Sequence, residues 1–297
     1  MSAATRKMYG LSANVLTGIV IGLALSPMLI WKLWPGPFVE WTSQFFALVV
    51  WHTFPDFISV DAIATVAAPL GLSFVVFRAL DLLIKVRLDL IAPLRPRELA
   101  YYAFFAPVLA VGPIIEYEEV RLSRVLSRLP EPSDVAIGLF RIAIGALKVL
   151  FIATLFNTIA TNNWDSADPS FWEAWAALFA YALYFYINFS GYSDLAIGAS
   201  RLHGLRLKEN FSNPFLKTNP QAFWANWHMS LTRWCQRYVF VPLGGMRANR
   251  QYIAIFFTIM TIALWHGINW SMVIFGCYHA IFLIGHRLIE NRRLRLK

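Results

Sequence analysis

An all-α integral membrane protein, a multi-pass helical bundle with re-entrant segments around a central chamber, follows from three features of the chain. Of its 297 residues, 58% are hydrophobic and only 14% charged, against roughly 25% charged in soluble domains. Uncharged stretches long enough to span a bilayer recur along it. The Lys and Arg residues behind the net charge of +9 gather between those stretches. That is the positive-inside bias of a membrane protein and not a nucleic-acid surface. The sequence contains no internal repeat, low-complexity tract or soluble domain, so residues 1–297 read as one membrane-embedded domain.

The first element is residues 11–31, an uncharged run behind Arg6 and Lys7. It is too long for a signal peptide and no A-x-A site closes it, so it reads as a retained helix. Further crossings are expected at 62–84, 135–160, 174–189, 251–266 and 270–286. Two weaker pieces, 41–57 with His52, Pro55 and Asp56, and 99–115 with Pro107, Gly112 and Pro113, read as half-buried or re-entrant. Basic clusters alternate with the crossings: Lys85, Arg87, Arg95 and Arg97, then Arg121, Arg124 and Arg128, then Arg201 to Arg250, then the tail from Arg287. The loop 161–170 holds Asp165 and Asp168 without Lys or Arg and reads as external. Six crossings with both ends inside satisfy this pattern. Within the helices, Arg78 and Asp81 look like an internal pair, and Asp194 is set against Arg201. Arg141 and Lys148, seven apart, share a face that must avoid lipid.

Residues 190–249 are too polar to span yet dense in Phe, Trp and Gly. Irregular backbone at membrane depth is tolerated only where it is buried in protein or lines a wet cavity. This block therefore reads as cytoplasmic and re-entrant structure walling the chamber.

Chemistry concentrates on two histidines. His266 sits in "LWHGINW" (264–270), inside a run without formal charge. A helix from Gln251 to Trp265 is about 22 Å long, short of a hydrocarbon core about 30 Å thick. Gly267 and Asn269 favour a break there. His266 should then lie at the bottom of a pit open to the outside, kept neutral by burial and able to act as a general base. His228 lies in "WANWHMS", in the other polar, aromatic-rich block, and could orient substrate or stabilise developing charge. Cys235 and Cys277 are too few for a disulfide framework or metal cluster, neither CxxC nor HExxH occurs, and no metal site is expected. His52, His203, His279 and His286 have structural explanations.

Seven stretches carry a resemblance: "PLGLSF" (69–74), "GPI" (112–114), "FSGYSDLAIG" (189–198), "ENFSNPF" (209–215), "FWANWHMSLTRW" (223–234), "YVFVPLGG" (238–245) and "LWHGINW" (264–270). In this order they resemble the membrane-bound O-acyltransferase (MBOAT) family, in the branch of the bacterial alginate O-acetyltransferase membrane subunit. The resemblance implies His266 as the catalytic histidine and His228 as the second active-site histidine, in helices around a central tunnel. It implies transfer of an acyl group, acetyl by expectation, from a cytoplasmic thioester such as acetyl-CoA to an extracytoplasmic hydroxyl. The acceptor would be a polysaccharide such as alginate, reached directly or through a periplasmic acetyltransferase partner, at the bacterial inner (plasma) membrane. No bound cofactor and no nucleic acid enter. Asn226, Trp227, Trp265, Asp194 and Tyr192 are the candidate substrate-binding residues, with Asn226, Trp227 and His228 as candidate donors to the reacting carbonyl oxygen. A histidine-based transporter or channel, or a non-catalytic scaffold of the same family, are the alternatives.

Overall fold

Every regular element among the described residues is helical. The computed structural model describes Leu33 and residues 71–92, 95–109, 112–120, 129–164 and 168–295. The expected first crossing, the piece 41–57, the start of the second crossing with Pro69 and Leu70 of "PLGLSF", and the cluster Arg121, Arg124 and Arg128 lie outside the described residues. The described residues form two compact units, one drawn from residues up to 109 together with Glu116–Glu118, the other from residues 112–115, 119–120, 129–164 and 168–295.

In the first unit, α1 (Leu72–Arg87) starts from Gly71, whose φ of 76° suits a residue without Cβ. The second helix, α2 (Pro96–Ala103), begins on proline, and the Glu98 carboxylate accepts the Arg95 N–H at 3.0 Å. The expected Arg78–Asp81 pair does not form. Arg78 donates to the carbonyls of Phe74 (3.2 Å) and Tyr102 (3.1 Å). Asp81 instead takes Lys85, one helical turn on, at 2.9 Å, and accepts from the Tyr102 hydroxyl at 3.2 Å. Positions four apart share a face, so Lys85 is drawn in and buried rather than left in a basic loop.

The second unit is built on two long antiparallel rods. One is α3 (Pro132–Leu147), continued through a π-helical stretch (Lys148–Ala153) into α4 (Thr154–Trp164). The other is α5 (Phe171–Leu202). Ser170 opens α5 with a reciprocal cap: its hydroxyl accepts the Glu173 N–H at 3.3 Å and its own N–H donates to Glu173 at 2.8 Å. Gly138 and Gly145 of α3 face Gly198 and Gly191 of α5. A Cβ added at Gly145 would stand 2.7 Å from the Gly191 carbonyl oxygen, and one at Gly198 would stand 2.6 Å from that of Gly138. Small residues here let two backbones touch, the usual way membrane helices associate.

This seam explains two departures from expectation. The polar block does not begin at residue 190, because α5 continues past Phe189 to Leu202 and buries Ser190, Ser193 and Asp194. Asp194 does not pair with Arg201, which lies two turns, about 10 Å, along the same axis. It pairs across the seam with Arg141 at 2.5 Å and Lys148 at 2.7 Å. Arg201 and Arg206 instead meet Asp134 at 3.0 and 2.7 Å.

Short helices α6 (Pro220–Asn226) and α7 (Met229–Cys235) and a π-turn (Gln236–Phe240) follow, then α8 (Gln251–His266) and α9 (Trp270–Arg295). The break between α8 and α9 falls where "HGIN" places it. Gly267 is extended, and the Asn269 side chain accepts the Met272 N–H at 3.0 Å, capping α9. Among the described residues, two helical stretches are long and apolar enough to cross a bilayer, Pro132–Asn163 and Trp270–Arg293, with Gln251–His266 a shorter apolar helix.

Candidate active site

His228 is the residue on which the second unit converges. It caps the start of α7 with φ 42° and ψ 54°, a left-handed conformation that costs a non-glycine residue on the order of 1–3 kcal/mol. The surroundings hold it there. Asn210, fully buried, accepts the Met229 N–H on its main-chain carbonyl at 2.8 Å and the Ser230 N–H on its side-chain oxygen at 3.1 Å. The Ser230 hydroxyl donates to that same side-chain oxygen at 2.8 Å. Around the ring, Phe189 stands edge-on at 4.7 Å and Phe211 lies at 6.4 Å between centroids.

The two histidines meet around one indole. Trp265 lies 6.3 Å from His228 and 4.4 Å from His266, centroid to centroid. The burial argued for His266 applies to His228 instead. His228 is 2% exposed, whereas His266, ending α8 at the helix break, is exposed among the described residues. Burial pushes the His228 imidazole down to about 3, helped by the charges of His266 and Arg233 nearby, so it is neutral at physiological pH.

Hydrogen bonds set the tautomers. His266 Nδ1 is 2.8 Å from the Ile262 carbonyl oxygen, which can only accept. Neutral His266 therefore carries its proton on Nδ1 and its lone pair on Nε2. His228 Nδ1 is 3.2 Å from the Asn210 side-chain oxygen, and its Nε2 is buried without a hydrogen-bond partner among the described residues.

The other candidate residues divide. Trp227 lies in an aromatic cluster beside His228, stacked on Phe223 at 5.6 Å and Phe185 at 6.0 Å and edge-on to Phe211 at 5.2 Å. Asn226 donates its side-chain amide to the Ala222 carbonyl of its own helix at 2.8 Å. Asp194 belongs to a neighbouring polar cavity of about 240 Å³, whose lining includes Arg141, Lys148, Ser193, Glu209 and Asn210. Arg141 bridges Asp194 and Glu209 there, at 2.5 and 2.6 Å. Tyr192, one residue away on α5, is exposed and is not part of that lining. As a donor to a reacting oxygen, His228 is also disfavoured, since its inward Nε2 holds a lone pair while the ring is neutral. Sequence reasoning missed Asn210, Ser193 and Ser230. Asn210 stands in "ENFSNPF", but nothing in that string says which side chain faces a histidine 18 residues later.

Comparison with known proteins gives the family. The membrane-bound O-acyltransferase family model matches residues 15–294. A "Probable alginate O-acetylase" of Azotobacter vinelandii is 33% identical over 225 residues, 75% of this chain and 45% of the relative. The peptidoglycan O-acetyltransferase of Helicobacter pylori is 33% identical over 197 residues, 65% of this chain and 37% of the relative. The teichoic acid D-alanyltransferase of Bacillus subtilis is 28% identical over 241 residues, 77% of this chain and 61% of the relative. The chain spans about half the length of the curated relatives it matches. With a match over nearly its whole length, the chain belongs to the membrane-bound O-acyltransferase family.

Proposed function

We propose that this protein transfers an acyl group, acetyl in the simplest case, from a thioester donor such as acetyl-CoA to a hydroxyl. The acceptor is an extracytoplasmic polysaccharide of the alginate type, acylated directly or through a periplasmic acetyltransferase partner. The protein sits as a multi-pass bundle in the bacterial inner membrane, one domain around a tunnel that admits donor and acceptor from opposite sides. Exposed aromatic residues at the starts of α5 (Trp172, Trp175) and α9 (Trp270) suit the interfacial belt of such a bundle.

The observation that carries the reading is the pair of histidines around Trp265, one exposed and one buried, with His266 Nδ1 engaged by the Ile262 carbonyl. A sugar hydroxyl is a poor nucleophile until its proton is accepted. His266 Nε2 takes that proton as the oxygen bonds to the thioester carbonyl carbon. The tetrahedral centre then collapses, the carbon–sulfur bond breaks, and the imidazolium returns the proton to the departing thiolate. Products are an ester and a free thiol, and the histidine ends as it began. General-base assistance of this kind is worth about 10²–10⁴-fold.

The test uses membranes from cells expressing the protein, given radiolabelled acetyl-CoA and a polysaccharide acceptor. Label should pass to base-labile polymer ester, and His266→Ala at equal abundance should cut that transfer by about 10²–10⁴-fold. Unchanged transfer in His266→Ala would refute the base role, and solute flux without transfer would favour a transporter.

A further inference from the structure

We propose that Asn210 is a positioning residue for the active site, fixing the His228 imidazole with its proton on Nδ1 and its Nε2 lone pair facing inward. The importance of His228 for acyl transfer rests on the function proposed above, but the tautomer assignment does not.

The assignment follows from a donor whose identity is not adjustable. The Ser230 main-chain N–H can only donate, and it lies 3.1 Å from one terminal atom of the Asn210 amide. That atom must be the oxygen. His228 Nδ1 lies 3.2 Å from the same atom. An oxygen that only accepts leaves Nδ1 no role except donor. The amide nitrogen then points to the Ser193 hydroxyl on α5, at 3.1 Å, as a donor to a group able to accept. Every partner agrees with one orientation, in a place where Asn210 is fully buried and His228 2% exposed. An amide in such a spot has no water with which to exchange these bonds.

Asn210 does two separable things. Its main-chain carbonyl takes the Met229 N–H and so braces the left-handed turn at His228. Any residue could do that. Its side chain alone selects the tautomer, and only an acceptor of this length will serve. Asn210 also lines the polar cavity beside Asp194 and Arg141, so the same amide joins the α3–α5 seam, through Ser193, to the histidine.

The test is histidine ring ¹⁵N NMR on the full chain in detergent, with the His228 signals identified by their loss in His228→Gln. The charges facing His228 are those of Arg233 and His266. In the wild type, His228 should show protonated Nδ1 and unprotonated Nε2 with no titration between pH 8 and pH 5. Asn210→Leu keeps the main-chain brace and removes the acceptor. It should shift His228 toward the Nε2–H form and lower kcat for acyl transfer roughly 10–100-fold, as loss of an outer partner does for metal-bound histidines, with KM little changed. Asn210→Asp keeps the acceptor and adds charge. It should retain Nδ1–H and bring His228 titration up into the measured range. Wild-type spectra with an Nε2–H His228, or an unaltered His228 in Asn210→Leu, would overturn the proposal. If Asn210→Leu does not fold, a His228 in Asn210→Asp that titrates like the wild type overturns it equally. A tautomer that responds as stated while acyl transfer is insensitive to His228 would leave the positioning role standing and count against the proposed function.

Discussion

Two imidazoles with different surroundings meet around Trp265. His266 ends a helix and is exposed, and its Nδ1 lies 2.8 Å from the Ile262 carbonyl oxygen. His228 is enclosed by Phe189, Phe211 and Trp265 and is held neutral mainly by burial. The depressed proton affinity of His228 has a consequence for stability. Its folded-state value of about 3 lies below the ordinary 6.5, so between those values the unfolded chain binds the proton more readily. Stability from this residue is complete above pH 6.5 and falls as pH drops through that window. The melting temperature in detergent should fall between pH 7.5 and pH 5, and His228→Gln should show a smaller fall over the same range. An equal fall in both would remove His228 as a cause. At this scale the sequence made the histidines conspicuous, because each follows a tryptophan in a polar, aromatic-rich string. Which of the two is buried was not readable, since the burial of His228 depends on Phe189 and Asn210, distant in the chain. For the same reason the partner of Asp194 was misassigned to its own helix.

At the scale of elements, the α3–α5 seam is what brings Arg141 and Lys148 to Asp194 and sets Ser193 beside Asn210. Both helices carry glycines seven residues apart, and the antiparallel match of Gly138 with Gly198 and Gly145 with Gly191 fixes the register. Gly145→Val should be expensive: its Cβ would meet a carbonyl oxygen at 2.7 Å and Leu195 at 2.9 Å, and overpacking of this kind costs about 1–3 kcal/mol. Gly285→Ala meets nothing within 4 Å and should be neutral or stabilising by about 0.5–1 kcal/mol, since glycine weakens a helix interior by that amount. Thermal unfolding of the two variants beside the wild type checks the contrast. Two equally mild effects would mean the helices do not touch there. At the other end of the unit, Asn269→Ala removes the cap of α9 and should cost about 0.5–2 kcal/mol in the same assay. The ends of α8 were legible in sequence because Gly267 and Asn269 are chemical punctuation. The end of α5 was not. Its polar C-terminal residues look like a loop until a partner helix offers Asp194 two cations.

The whole molecule carries wide apolar surface on Pro132–Asn163 and Trp270–Arg293, including exposed Phe140, Phe151, Ile274 and Phe282. Such surface is sustainable in lipid and a liability in water. Membrane residence was readable from composition alone, because the average over 297 residues leaves too few charges to coat a soluble fold. The number of crossings was not, because the pieces 41–57, with His52, Pro55 and Asp56, and 99–115, with Pro107, Gly112 and Pro113, are too interrupted for sequence to tell a span from a re-entrant segment. Within the second unit, the short helices α6 and α7 bring His228 to the end of α8, so that residues from separate stretches of chain meet around Trp265. If the pair works as one catalytic unit, removing either member should cost nearly as much as removing both. The direct measurement is acyl transfer by His266→Ala, His228→Ala and the double variant, at matched abundance and folding. We expect each single variant to lose about 10² -fold or more, with the double variant no more than a few-fold worse. Independent losses that multiply in the double variant, or full activity in either single variant, would contradict a shared site.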